Sequence, residues 1–377
     1  MLEVSSMNSE KKRPLPLRIL RVIGIVIGLL LLCVAGLFAY LTCNEYNPEP
    51  VEKVALTPLP EAKPLTAGAP IRLVTWNIGY GALGDNADFF MDGGKGVKTA
   101  DRARVLLNIQ GVMDELTRQT PDIILMQEVD RDSYRSEHID EMEEIAEYLE
   151  ASGQKFQRAF ACNFDVDFIP YPVPPIGEVK SGIVTLSAFA ATDAERISLP
   201  TPFTWPSRVG NLKRCLLVTR YPVLDENGGD TGREFVVVNL HLEAYDDGEG
   251  KIAQTRQLKG VLDSEVAKGN YVMAAGDFNQ VFSGTDLSAY PTYPGNWICG
   301  QIEAEDFAGY QLLMDASVPT CRSLDRPVAG SDPDTFQYYM LDGVILSANI
   351  RAESITTRDL GFVCSDHNPV ILDFVLE

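Results

Sequence analysis

The sequence predicts an α/β sandwich carried behind a single membrane-spanning helix. Three observations point to it. Residues 22–41, "VIGIVIGLLLLCVAGLFAYL", are twenty residues without a charge, and at about 1.5 Å per residue such a helix matches a bilayer core of about 30 Å. From Ile71 onward, strand-like apolar runs alternate with stretches of helical period. Many strands and few long helices imply sheets packed face to face with helices outside.

In chain order, the first feature is the basic cluster Lys11, Lys12, Arg13, Arg18 and Arg21, after which no basic residue follows until Lys53. Residues 1–21 are thus expected as a cytoplasmic tail, 22–41 as the transmembrane anchor, and the rest as extracytoplasmic at a cell membrane. A cleaved signal peptide is the rival. Its apolar core is typically shorter, about 7–15 residues, and Tyr40-Leu41-Thr42 makes a poor cleavage site, so an uncleaved anchor is favoured. Residues 42–70, with their many prolines, read as an extended linker, and residues 71–377 as the catalytic domain.

Within that domain "IRLVTWNI" reads as a strand. Residues 100–118 read as a helix with Val105, Leu106, Ile109, Val112, Met113 and Leu116 on one face, and "DIILMQEV" as a buried strand. Ile139, Met142, Ile145 and Leu149 mark a second helix. "SGIVTLSAF", "RCLLVTRY", "EFVVVNLHL" and "NYVMAAGDF" are further strands, with a helix near 252–267 before the last of them. "YYMLDGVILS" and "NPVILDFVL" close the chain. Residues 168–179 and 283–335 fit neither pattern and are expected as long surface loops.

Strand after strand runs into a polar residue that a core strand has no need of: Asn77, Glu128, His241, Asp277 with Asn279, Asp342, and Asp366 with His367. Each alone reads as a turn starter or a solvated strand end. Together they supply hard oxygen donors that suit Mg²⁺ or Mn²⁺, and two histidines able to move protons. No GxSxG elbow and no complete phosphate-binding glycine loop is present, "DGGKG" at 92–96 lacking the second half of that motif. A metal site with His and Asp but no protein nucleophile points to water attack on a phosphate ester.

The motifs "TWNIG", "QEVD", "VNLHL", "GDFN", "LDGVI" and "SDHNPV", in this order over residues 71–376, resemble the endonuclease/exonuclease/phosphatase superfamily of DNase I-like nucleases, inositol phosphatases and neutral sphingomyelinases. The resemblance implies a four-layer α/β sandwich and a Mg²⁺-dependent phosphoesterase, with Mn²⁺ as a substitute. It implies that Asn77 and Glu128 hold the metal, with Asp366 near a second metal position. Asp277 would orient or deprotonate the attacking water, and Asn279 would hydrogen-bond the phosphoryl oxygens. Asp342 would orient His367, which contacts the phosphate or acts as base, and His241 would serve the leaving side. His241 stands where AP endonucleases carry Tyr, which counts against that branch.

Lys213 and Arg214 either face a substrate phosphate or flank a strand. His138 reads as solvent-facing. Cys299 and Cys321 either pair or remain among scattered buried thiols. Residues 51–377 hold 27 basic and 49 acidic side chains, a net −22, a surface that repels polyanions at long range. Charge alone does not exclude DNA; the anchor, which keeps the domain near a lipid surface, and the resemblance to the sphingomyelinase-like branch imply hydrolysis of a lipid or small-molecule phosphodiester. A secreted-type nuclease is the alternative enzyme, and an inactive surface-binding module on the same fold the alternative from another class.

Overall fold

The computed structural model describes residues 15–246 and 248–377. Lys11, Lys12 and Arg13 of the basic cluster lie outside the described residues. The chain divides into two units, Met1–Glu45 and Tyr46–Glu377. Among the described residues of the first, Leu15–Cys43 form an α-helix long and apolar enough by length and composition to cross a membrane. Arg18 and Arg21 lie in its first two turns.

The second unit holds two large sheets. One orders its strands 350–357, 370–376, 70–77, 123–130, 177–187, 157–169; the other runs 51–53, 193–198, 215–224, 230–241, 271–277, 342–347, 310–313. Each is antiparallel except for one central parallel pair, Pro70–Asn77 with Ile123–Asp130 and Asp230–His241 with Tyr271–Asp277. A parallel pair needs a long crossover, usually a helix. Arg102–Gln119 supplies the first and Glu249–Val266 the second. The first helix starts where Asp101 accepts a hydrogen bond from the Arg104 amide, 2.9 Å. Val105, Ile109, Val112, Met113 and Leu116 bury against its sheet, whereas Leu106, expected on that face, is exposed.

Strand alternation sorts the side chains into layers. Leu73, Leu125, Phe235, Val237, Met273, Val344, Leu372 and Phe374 fill the space between the sheets. Val74, Trp76, Ile124 and Met126 face the helices 102–119 and Glu141–Ala151. Val236, Val238, Leu240 and Val272 face the helix 249–266. The result is the expected four-layer α/β/β/α sandwich.

Three expectations need correction. Residues 46–70 are part of the domain, not a free linker. Val51–Lys53 pairs with Asp193–Ser198 as an edge strand, Leu56 and Lys63 bridge to Ala159 and Phe189, and Leu65 is buried between the sheets. The backbone there is extended, as its prolines dictate, but a sheet edge captures it. The loop expected over 168–179 is shorter, because Gln157–Ile169 and Gly177–Ser187 form a long hairpin whose connection is residues 170–176. Within 283–335, Tyr310–Leu313 adds an edge strand beside Asp342–Ser347. All seven cysteines are free, Cys299 and Cys321 included.

Candidate active site

The layer between the sheets changes character at one end. Along one face, Leu73 is followed by Thr75 and Asn77, Val237 by Asn239 and His241, and Met273 by Ala275 and Asp277. Strand alternation therefore carries the core-facing stripe into a cleft at the strand ends, where α/β sheets bind ligands. Glu128 arrives differently. A bulge interrupts the pairing of Ile123–Asp130 with Gly177–Ser187 between Met126 and Val129. Glu128 there has φ 53°, so its side chain leaves the helix-facing side and turns into the cleft. Such a bulge beside a site commonly re-aims a side chain. Asn239, on the opposite sheet, donates to the carbonyls of Met126 (3.3 Å) and Val184 (2.7 Å) at the bulge and accepts from Gln127, 2.8 Å.

The structure brings eight of the expected residues together. Asn77 Nδ2 lies 3.0 Å from Asp277 Oδ2 and 3.3 Å from Glu128 Oε1. His241 Nε2 is 3.5 Å from Asp277 Oδ2 and 3.9 Å from Glu128 Oε1. His367 Nε2 is 3.7 Å from the same Asp277 oxygen, and its Nδ1 lies 2.8 Å from Asp342 Oδ2. The Asn279 amide donates to Asp277 Oδ1, 2.9 Å, and its side chain to the Leu242 carbonyl, 2.9 Å. Asp366 lines the cleft beside His367. Ser365 fixes this corner, its hydroxyl donating to the Asn77 carbonyl (2.8 Å) and accepting from the His367 amide. Both histidines are buried.

Two glycines make this geometry possible. Gly276 has φ 147°, and a Cβ there would sit 2.1 Å from the Leu240 carbonyl oxygen. Gly79, at φ 55°, passes so near Asp366 that a Cβ would meet Oδ1 at 2.8 Å.

Of Lys213 and Arg214, only Arg214 lines the cleft. Its guanidinium binds Glu243 and the His241 carbonyl, both 3.2 Å. The Lys213 ammonium turns instead to the carbonyls of Arg208 and Asn211. His138 is exposed and pairs with Asp132, 2.6 Å. Sequence reasoning missed Tyr80, Arg135 and Cys321, which also line the cleft. Arg135 forks onto Asp130 at 2.9 and 3.0 Å, with its guanidinium 3.6 Å from the Tyr80 ring centre.

Electrostatics separate the groups. Burial pushes Asp277 up to about 6 and Asp366 up to about 7, and it raises Glu128. Burial, helped by the positive charge of Arg214, holds His241 well below the ordinary histidine range. Burial also opposes charge on His367. There the surrounding Cys321, Asp342 and Asp277 and the hydrogen bond to Asp342 prevail and hold it well above that range. A buried group of carboxylates this reluctant to ionise lacks positive charge. Its oxygen-rich donor set, Asn77, Glu128, Asp277 and Asp366, fits a hard divalent cation.

Oxygen donors, a His–Asp pair and a second histidine are the parts of a metal-dependent phosphoester hydrolase. The Endonuclease/Exonuclease/phosphatase family model matches residues 74–367, and the chain belongs to that family. No curated protein sequence matches it. Among solved structures it is similar to an endonuclease/exonuclease/phosphatase from Beutenbergia cavernae, 22% identical, TM-score 0.54, covering 81% of this chain and 72% of that one. It is also similar to TDP2 from Caenorhabditis elegans, 15% identical, TM-score 0.48, covering 82% and 75%. The human Nocturnin catalytic domain is 16% identical, TM-score 0.48, covering 86% and 98%.

Proposed function

We propose that this hydrolase is a Mg²⁺-dependent phosphodiesterase acting on a lipid or on a small phosphodiester with an apolar part. It would be anchored through residues 22–41 with the domain outside the cell membrane. The observation that carries the substrate reading is the cleft wall. Around the two histidines it is formed by Leu83, Phe89, Met91, Phe164, Ile169 and Trp297. The cleft-lining cations Arg135, Arg214 and Arg322 are already engaged by Asp130, Glu243 and backbone carbonyls. A nucleic-acid groove draws its affinity from cations left for phosphates; an apolar wall favours an acyl or aromatic group.

Asn77, Glu128 and Asp366 would hold the cation, which supplies charge neutralisation at the phosphoryl oxygens and a more acidic attacking water. Asp277, facing both imidazoles, accepts the proton of that water. His367, kept charged by Asp342, donates to a phosphoryl oxygen. Asn279, its amide fixed by Leu242, offers its remaining N–H to another. His241, kept neutral, directs Nε2 to the leaving side.

The test compares kcat/KM for head-group release from choline- or ethanolamine-type phospholipid with that for duplex DNA. Phospholipid is expected to be the better substrate by at least about tenfold, the discrimination of roughly 1.4 kcal/mol that a single apolar contact supplies. Efficient DNA cleavage without phospholipid turnover would establish the nuclease instead. Turnover of neither, with intact metal binding, would favour the binding module. For the topology, an epitope tag after the exposed Glu377 should be reachable by antibody on intact cells. Labelling only after permeabilisation would reverse the orientation.

A further inference from the structure

One cleft residue takes no part in this chemistry. Cys321 is a buried thiol in a site otherwise built from oxygen and nitrogen donors. Its backbone bridges to His367. Donor atoms of Cys321, Asp366 and His367 all lie within 4.8 Å of one another. His367 is oriented as metal-binding histidines commonly are, with Nδ1 held by a carboxylate and Nε2 directed inward. The thiol is backed by Trp297, Tyr339 and Leu341, so its outer side is dry.

We propose that Cys321, His367 and Asp366 form a chelating site for a thiophilic divalent cation, Zn²⁺ or Cd²⁺, and that filling it shuts the enzyme off. The site overlaps the oxygen-donor site without coinciding with it. Mg²⁺ takes oxygen donors and avoids thiolate, whereas Zn²⁺ takes S, N and O together. Zinc bond lengths of about 2.0–2.3 Å in tetrahedral geometry place ligand atoms roughly 3.4–3.6 Å apart. Side-chain rotation of about 1 Å therefore closes the triangle. Asp277, its Oδ2 3.7 Å from His367 Nε2, or a water completes the fourth position. As the S–metal bond forms, the thiol proton passes to solvent and no electron is exchanged. Inhibition follows because the chelate takes His367 Nε2 from the phosphate and Asp366 from the catalytic cation.

The full-length chain in detergent, stripped of metal, is titrated with Cd²⁺ while the ultraviolet thiolate-to-cadmium charge-transfer band is followed. One equivalent should develop the band. Zn²⁺ should inhibit turnover at saturating Mg²⁺. Cys321→Ser should lose the band and need at least about tenfold more Zn²⁺ for half-inhibition, the scale on which lost metal-site contacts act. Cys299→Ser, from the same apolar cluster, should keep both. Cys321→Ala, checked by circular dichroism, guards against a serine variant that fails to fold. Absence of the band from wild type, or its persistence in both Cys321 variants, overturns the proposal. An unchanged band with no zinc inhibition would overturn the shut-off. Because the cadmium readout needs no substrate, the site can fail while the phosphodiesterase reading stands, and the reverse.

Discussion

The middle of the sandwich and its polar end lie on the same strands, on the same face, a few residues apart. In the middle, Leu73, Phe235, Met273 and Leu372 belong to one apolar cluster between the sheets. At the end, Asn77, His241 and Asp277 occupy the same stripe and face one another at 3.0–3.5 Å. The active site is thus the continuation of the core by other residues, and rigid packing below holds the charges above. The two regions should respond in opposite ways to mutation: the middle is built for stability, and the end stores unfavourable charge for function.

The widest separation is expected between Phe235→Ala and His367→Ala. Removing the Phe235 ring from between the sheets should cost about 3–5 kcal/mol of stability, with kcat per folded molecule unchanged. His367→Ala should lower kcat by about 10²–10⁴-fold, the range for acid–base groups, with a smaller loss of Tm than Phe235→Ala, the part that comes from leaving buried Asp342 without its partner. Denaturation and turnover measured on both proteins check this; equal losses of stability would erase the distinction. His241→Ala should lower kcat on the same scale. Near-normal turnover there would remove it from the leaving side.

Asn239 joins the regions. Its amide holds the bulge that presents Glu128, so Asn239→Leu, of similar volume, should weaken Mn²⁺ binding about 10–100-fold, as supporting contacts to metal ligands do. Titration of Mn²⁺ by its spin-resonance signal measures this. Thr75→Val, altering the same layer without touching the bulge carbonyls, should leave Mn²⁺ affinity within about twofold of wild type, inside the context scatter of a single buried hydrogen bond. Equal weakening in both would assign the effect to general loosening.

A smaller effect concerns pH. Asp277 and Asp366 titrate near 6 and 7 in the folded protein, against about 3.9 when unfolded. Between about pH 4 and 7 the native state therefore holds protons that the unfolded chain has lost. Metal-free stability should fall as pH rises through that window. Added Mg²⁺ should accordingly raise Tm more at pH 8 than at pH 5. Asp366→Asn should raise the metal-free Tm at pH 8 and lose that advantage at pH 5. A Mg²⁺ effect independent of pH would contradict the charge crowding.

Much of this end was legible in the sequence. Asn77, His241 and Asp277 stand at strand ends, where period-two patterning shows a polar residue in place of an apolar one. Gln127 and Asn239 belong to the same signal but are not singled out by it, since only the assembled sheets bring them into contact. Arg135, Tyr80 and Cys321 reach the cleft from turns and short segments whose position depends on distant partners. Lys213 and Arg214 are adjacent in the segment before the strand Cys215–Leu224, and only Arg214 lines the cleft. The 46–70 segment misled for a related reason. Its prolines predict extended backbone correctly, but the edge that captures Val51–Lys53 is Asp193–Ser198, "DAERIS", too polar and too short to announce itself as a strand.

The central claim, that the polar end is a working divalent-cation site, is tested most directly by turnover of a phosphodiester before and after exhaustive chelation. Activity should vanish in EDTA and return with Mg²⁺ or Mn²⁺; turnover unchanged after all metal is removed would contradict it.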